Sequence, residues 1–224
     1  MPLDLVYADA GIVVLNNPSG LLSVPGKTCD VCLSLQVQAQ FEDALVVHRL
    51  DMSTSGLVVM ARGIAAQRVL NDHFAQRRVH KRYVAVVQGD CRVAEPETGE
   101  EGERGEAWQT IDLPIIVDWP NRPLRKIDLE TGKASSTRWR CLAYHAERNT
   151  SRLELEPLTG RSHQLRVHLQ AIGHPILGDA LYAPPDIVAA SARLLLHATE
   201  LAFAHPVSGT WISFHSPDGF GLQA

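Results

Sequence analysis

The chain has 224 residues, 45% of them apolar, and a net charge of −4. That is enough material for one domain of generous size or two small lobes sharing a core. No run approaches the roughly 18–20 unbroken apolar residues of a membrane span, and Met1-Pro2-Leu3-Asp4 lacks the basic-then-apolar layout of a secretory signal, so the expectation is a soluble, cytoplasmic protein without a membrane partner.

Ile12-Val13-Val14-Leu15 reads as a buried strand, broken by the turn residues Asn17-Pro18-Ser19-Gly20. Cys29 and Cys32 form a C-x-x-C pair, while Cys91 and Cys141 stand alone. With no second pair to complete a zinc site, free thiols in a loop and at a helix start are expected, and no metal. Leu57 to Ala61 reads as a second strand. Ala66, Val69, Leu70 and Phe74 then recur at helical spacing, predicting a helix from about Ile64 to Arg77. A strand from Arg82 to Val87 follows, ended by Gly89. Cys91 to Ala107 is rich in Glu and Gly, has no period, and predicts an exposed acidic loop.

Arg152-Leu153-Glu154-Leu155-Glu156 alternates as a half-buried strand does. Leu165, Leu169 and Ile172 mark one face of a short helix closed by Gly173. Leu201 to Ala204 and Thr210 to Phe214 flank His205-Pro206-Val207-Ser208-Gly209 as a hairpin. Strands outnumber helices without regular alternation. The expected fold class is α/β of the α+β kind, with a mixed, largely antiparallel sheet.

The overall acidity argues mildly against a nucleic-acid partner, but its distribution argues the other way. Arg62 to Arg82 holds six basic side chains against Asp72 alone, and Asp118 to Arg140 holds six against three acidic ones. The excess of acid sits in Glu95 to Glu106, with six glutamates and one arginine.

The densest polar cluster in an apolar setting is His48-Arg49-Leu50-Asp51-Met52-Ser53-Thr54-Ser55-Gly56. Its charges either pair with one another or face a cleft. A second cluster, Leu158-Thr159-Gly160-Arg161-Ser162-His163-Gln164-Leu165-Arg166-Val167-His168, places Arg161 at a helix N-terminus. A guanidinium gains nothing from the dipole there, which suggests that it points to an anion. His163 and His168 read as ordinary hydrogen-bonded surface or boundary histidines, poorly spaced to share a metal. Gly26-Lys27-Thr28 is not a phosphate-binding loop, because five residues separate Gly20 from Gly26 where that motif needs four. His48-Arg49-Leu50-Asp51 lacks the order and companions of a kinase loop.

In order along the chain, Pro18-Ser19-Gly20-Leu21, the His48 to Leu57 block, Lys81 to Gly89, and Leu158 to His168 running on to Gly173-His174-Pro175-Ile176-Leu177-Gly178-Asp179 and Tyr182 resemble the motifs of the RluA family of pseudouridine synthases. The resemblance implies a single catalytic domain over residues 1–224, helices flanking a central sheet, and a cleft between two lobes. It implies no S4 module, no cofactor, and structured RNA as the partner; the sequence leaves the oligomeric state open, and a monomer is expected. Ser23-Val24-Pro25-Gly26, Pro114 to Pro123 and Glu130-Thr131-Gly132-Lys133 resemble the dual-specificity branch, which modifies uridines in 23S rRNA and in tRNA anticodon stem-loops. Where family members usually carry lysine before the first motif's proline, this chain has Asn17, implying the loss of one phosphate contact.

The chemistry so implied breaks a uridine's N1–C1′ bond, rotates the uracil and rejoins it through C5. Asp51 is the expected catalytic carboxylate, whether by attacking C6, attacking C1′, or removing a sugar proton. Arg161 would pair with it, and Tyr83 would stack on the base and assist at C5. Arg49 would fill the space left by a flipped nucleotide. His48, Arg62, Arg77, Arg78, Lys81 and Arg166 complete the expected RNA-contacting set.

Overall fold

The computed structural model describes residues 3–26, 31–92 and 108–221. In chain order its first elements are β1 (Leu5–Ala8), β2 (Ile12–Asn17), α1 (Leu33–Gln38), β3 (Ala44–Val46), β4 (Ser55–Arg62), α2 (Gly63–Ala75) and β5 (His80–Gln88). Next come β6 (Gln109–Asp112), β7 (Ile115–Val117), β8 (Arg125–Ile127), β9 (Ser136–His145) and β10 (Thr150–Pro157). The last are α3 (Gln164–Ala171), α4 (Pro185–Ala189), β11 (Leu196–Ala204) and β12 (Trp211–His215). Pairing is largely antiparallel and helices are few, as the lack of alternation predicts.

The chain divides into two compact units, Met1–Arg82 with His197–Asp218, and Tyr83–Leu196 with Gly219–Ala224. In the first, β2 and β4 pair antiparallel from Ile12↔Ala61 to Asn17↔Gly56. Both are apolar runs rather than alternating ones, and both are buried on each face. β1 lies antiparallel on β2, β3 on the end of β4, and β12 on β11. The hairpin turn at His205 to Gly209 is as predicted, with the His205 N–H donating to the Thr210 carbonyl at 2.8 Å.

Helix α2 buries Ala66, Leu70 and His73, the first two against Ile12, Val14, Leu57, Val59, Ala61, Leu201 and Phe203. It stops two residues short of the predicted Arg77, which itself turns left-handed at φ 58. Val69 is 37% exposed, because a stripe centred on 66, 70 and 73 leaves it at the margin. Cys32 is buried at the start of α1; its C-x-x-C partner Cys29 lies outside the described residues.

In the second unit β10 pairs antiparallel with β5 and with β9, and β6 with β9. Leu153 and Leu155 of β10 meet Ala85 and Val87 of β5 under Leu165 and Leu169 of α3. α3 closes at Gly173 (φ 86), whose N–H donates to the Gln170 carbonyl. β7 and β8 form a separate hairpin. Cys91 corrects the expected loop boundary: it is 3% exposed within this core, and its N–H is held by Ser151 Oγ at 2.9 Å. Residues 93–107 of the acidic segment lie outside the described residues.

Parallel pairing of β4 with β11 at His197↔Ser55 and Ala198↔Gly56 brings the backbones unusually close. A Cβ on Gly56 (φ 116) would lie 2.4 Å from both the nitrogen and the oxygen of Ala198. Gly56→Ala is therefore expected to cost at least about 2 kcal/mol in urea denaturation. An unchanged midpoint would show that β4 and β11 separate freely.

Candidate functional site

Asp51 sits between the end of β3 at Val46 and the start of β4 at Ser55, where the chain leaves the sheet. The Thr54 N–H donates to the Asp51 carbonyl at 2.9 Å, closing a turn that leads directly into β4. Asp51 is half-buried and Arg49 exposed, while Leu50 between them is 6% exposed and anchors the loop. The opening motif grips this loop. The Gly20 N–H donates to the Met52 carbonyl (2.7 Å), and Ser19 Oγ donates to the Ser53 carbonyl (2.7 Å). Ser23 Oγ both accepts from the Leu50 N–H and donates to the Leu50 carbonyl, each at 3.0 Å. Beyond the turn, Ser55 Oγ and His197 Nδ1 are hydrogen-bonded at 2.8 Å, with Ser216 Oγ 3.1 Å from His197 Nε2.

His48 is a correction. Its Nε2 accepts the Val59 N–H at 3.0 Å, and its ring stacks on Phe74 with centroids 4.6 Å apart. Burial, reinforced by the Lys81 charge, pushes the imidazole down to about 3. It is a neutral acceptor that satisfies β4 where β3 has departed, and it brings no positive charge to RNA. Asn17 is also buried (1% exposed), with Nδ2 donating to the Leu21 carbonyl, so this position belongs to the turn rather than to a phosphate-facing surface.

The basic run is uneven. Arg62 is committed to Asp43 at 2.8 Å and to the Asp9 carbonyl at 3.1 Å. Arg78 pairs with Asp72 yet keeps a half-exposed side chain. Arg77 is exposed, and Lys81 is half-buried at the start of β5.

In the second unit, Tyr83 of β5 is half-buried against the core and faces Leu155 across the strands. Arg161 precedes α3 and is exposed, its N–H on Gln164 Oε1 at 3.0 Å and Nη2 3.5 Å from the Ala134 carbonyl. Gln164 organises this loop. Its Oε1 also accepts from Thr159 Oγ1 (2.7 Å), and its Nε2 donates to the Ser136 carbonyl (2.9 Å) and Thr137 Oγ1 (3.0 Å).

Arg166 is a second correction. It is 3% exposed and forms a two-pronged pair with Asp179 at 2.8 and 2.6 Å, under the Tyr182 ring. A guanidinium so enclosed holds the fold and cannot reach phosphate. His168 is not at the surface either. It is fully buried between Thr137 Oγ1 and the Leu113 carbonyl, and burial lowers its affinity for a proton. His163 takes a left-handed backbone (φ 58), with Nδ1 2.6 Å from the Tyr182 hydroxyl. That hydroxyl also accepts the Arg125 N–H at 2.9 Å.

On the β7–β8 hairpin, the Arg122 guanidinium stacks on the exposed ring of Trp119 at 4.4 Å. Among the described residues no group of three or more His, Cys, Asp or Glu is arranged to hold a metal. Ser19, Ser23 and Gln164 were not singled out by charge or periodicity; their position inside the motif blocks is the one signal that points to them.

A carboxylate in a loop braced by hydroxyls, on a largely antiparallel α+β scaffold, defines an RNA-modifying isomerase once set beside known proteins. The chain belongs to the RNA pseudouridylate synthase family, whose profile matches residues 11–171. It is 46% identical over 220 residues to the dual-specificity RNA pseudouridine synthase RluA of Escherichia coli K12, covering 97% of this chain and 94% of that protein. The RluA of Vibrio parahaemolyticus is 46% identical over 226 residues, covering 99% and 85%. Among solved structures, human RNA pseudouridylate synthase domain containing 1 superposes with a TM-score of 0.78 at 29% identity, over 98% of this chain and 84% of that one. The protein is an isomerase that converts uridine to pseudouridine in RNA.

Two outcomes follow from the corrections. Arg166→Met strands Asp179 in the core, so urea denaturation is expected to show a loss of about 3–5 kcal/mol. The salt dependence of RNA binding stays as in the parent; a slope shallower by about one unit, with stability intact, would restore Arg166 as a phosphate contact. For His48, the unfolded chain binds a proton near its ordinary value of about 6.5, whereas the folded chain does so only near 3. Stability thus drops as pH falls from about 6.5 toward about 3. His48→Gln is expected to flatten urea midpoints measured from about pH 7 to about pH 5; an unaltered slope would mean the imidazole protonates without penalty.

Proposed function

We propose that Asp51 is the catalytic carboxylate and that the chain modifies uridines in both large-subunit rRNA and tRNA anticodon stem-loops, as a cytoplasmic monomer built as one catalytic domain. The observation that carries the first part is the placement of Asp51 at the head of a tight turn, with the residues on either side tied to the opening motif by Ser19, Gly20 and Ser23. Support for the second is identity of 46% to proteins named for dual specificity, spread over nearly the whole chain.

Isomerisation conserves every atom of the uridine, so the protein has to cleave the N1–C1′ bond, retain the uracil, turn it and close a C–C bond. An ionised carboxylate serves this either as a nucleophile or as a counter-charge to a cationic sugar. Tyr83 stacks on the base, and Arg161 offers its exposed guanidinium to an anion. Arg49, two residues before Asp51 and exposed, fills the stack vacated by the flipped nucleotide. Arg77 and Arg78, with Arg122 stacked on Trp119, supply phosphate and base contacts.

The test is release of tritium to water from unmodified tRNA and rRNA fragments labelled at uracil C5, with primer extension after carbodiimide treatment to map positions. Release from both RNAs, abolished in Asp51→Asn with RNA binding retained, is the expected result. Release from one RNA alone would remove dual specificity, and turnover by Asp51→Asn would remove the carboxylate assignment.

A further inference from the structure

Leu50, the residue before Asp51, is 6% exposed, so its N–H and C=O have little access to water. In a sheet, both groups would be met by a residue of an adjacent antiparallel strand, which exchanges two hydrogen bonds with its opposite number. Here no strand does so: the single hydroxyl of Ser23 takes both, at 3.0 Å each. Ser23 is itself fixed from behind. It is 6% exposed, and its carbonyl accepts the Ser34 N–H at 3.2 Å in the first turn of α1. Leu22 beside it bridges to Cys32, and the Leu33 N–H donates to the Leu22 carbonyl at 2.8 Å. Cys32, Leu33 and Ser34 are all 3% exposed or less, so the hydroxyl rests on packed core.

We propose that Ser23 is a positioning residue for the reaction: it sets the height and direction from which Asp51 leaves the backbone. It touches no substrate. Rotation at Leu50 would swing the Asp51 Cα directly, since one peptide separates them. Ser19 and Gly20 act on Met52 and Ser53, on the far side of Asp51. Ser23 is thus the restraint on the near side, and a displacement of about 1 Å at a reacting group is worth about 100-fold in rate. The inference rests on the reading of Asp51 as the catalytic carboxylate.

The second unit supplies a matched control. Ser151 Oγ donates to the Gly89 carbonyl at 2.7 Å and accepts the Cys91 N–H at 2.9 Å, in a fully buried position on β10. It performs the same two-way bridging away from the Asp51 loop. Full-length Ser23→Ala, Ser151→Ala and Asp51→Asn are compared for tritium release over a range of RNA concentration, alongside melting temperature. Ser23→Ala is expected to lower kcat by about 10- to 100-fold with KM within about twofold of the parent. Ser151→Ala is expected to lose comparable thermal stability and keep its kcat. If Ser23→Ala does not fold, Ser23→Cys fills the site with a poorer donor and acceptor and carries the same expectation.

A kcat for the Ser23 variants within about twofold of the parent, with Asp51→Asn inactive, overturns the positioning role and leaves the catalytic assignment standing. Equal losses of kcat in Ser23→Ala and Ser151→Ala also overturn it, since the effect would then be global. An active Asp51→Asn overturns the reading on which the inference rests.

Discussion

Between Val46 and Ser55 the chain gives up the strand ladder that satisfies the backbone on both sides of it, and it does so next to buried core. Each N–H and C=O in that interval needs another partner. The first unit meets this demand with side chains and one tight segment. His48 replaces a lost strand acceptor, Ser23 replaces a lost strand residue, Ser19 and Gly20 hold the Ser53 and Met52 carbonyls, and Ser55 passes the chain to β11 through His197. The rigidity that places a carboxylate follows from an accounting of hydrogen bonds rather than from local propensity.

The second unit solves a similar problem at the turn before α3. Gln164 ties Thr159 and the Arg161 backbone to β9, so an exposed arginine stands on a loop with a fixed base. One turn further on, Arg166, Asp179, Tyr182 and His163 form a connected set in which charge is enclosed. Such enclosed charge contributes little net stability when intact, and its removal piece by piece is costly. Motif residues therefore divide by burial: some stand exposed, and the buried ones hold their loops in place.

Much of the fold was legible where a single physical cause dominates. β2 and β4 are unbroken apolar runs because both faces are covered, and α3 ends where Gly173 can turn left-handed. β3 has three residues, too few to show a period of its own. β9 was hidden for a different reason. Its Arg138 and Arg140 pair with Glu156 and Glu154 across the sheet and flank Trp108, and the irregularity that leaves Leu142 unpaired and exposed then breaks the alternation. Sequence reports a charge without reporting its burial, so Arg166, His48 and Asn17 were read as RNA contacts or lost contacts. Ser19 and Ser23 reach partners 34 and 27 residues away through uncharged hydroxyls, and that leaves no local signature.

β1 has a consequence for how copies of this chain meet. All four of its residues are exposed, and Leu5, Val6 and Tyr7 leave 48%, 40% and 41% of their surface to solvent. An apolar strand with one unpaired edge is a template for aggregation. Here the template is short, its register slips between Leu5 and Tyr7, and carboxylates stand at Asp4 and Asp9, the latter accepting the Tyr7 hydroxyl. An incoming strand would find few aligned groups and a negative charge at each end. β1 is long enough to cover β2 and too short to recruit a neighbour.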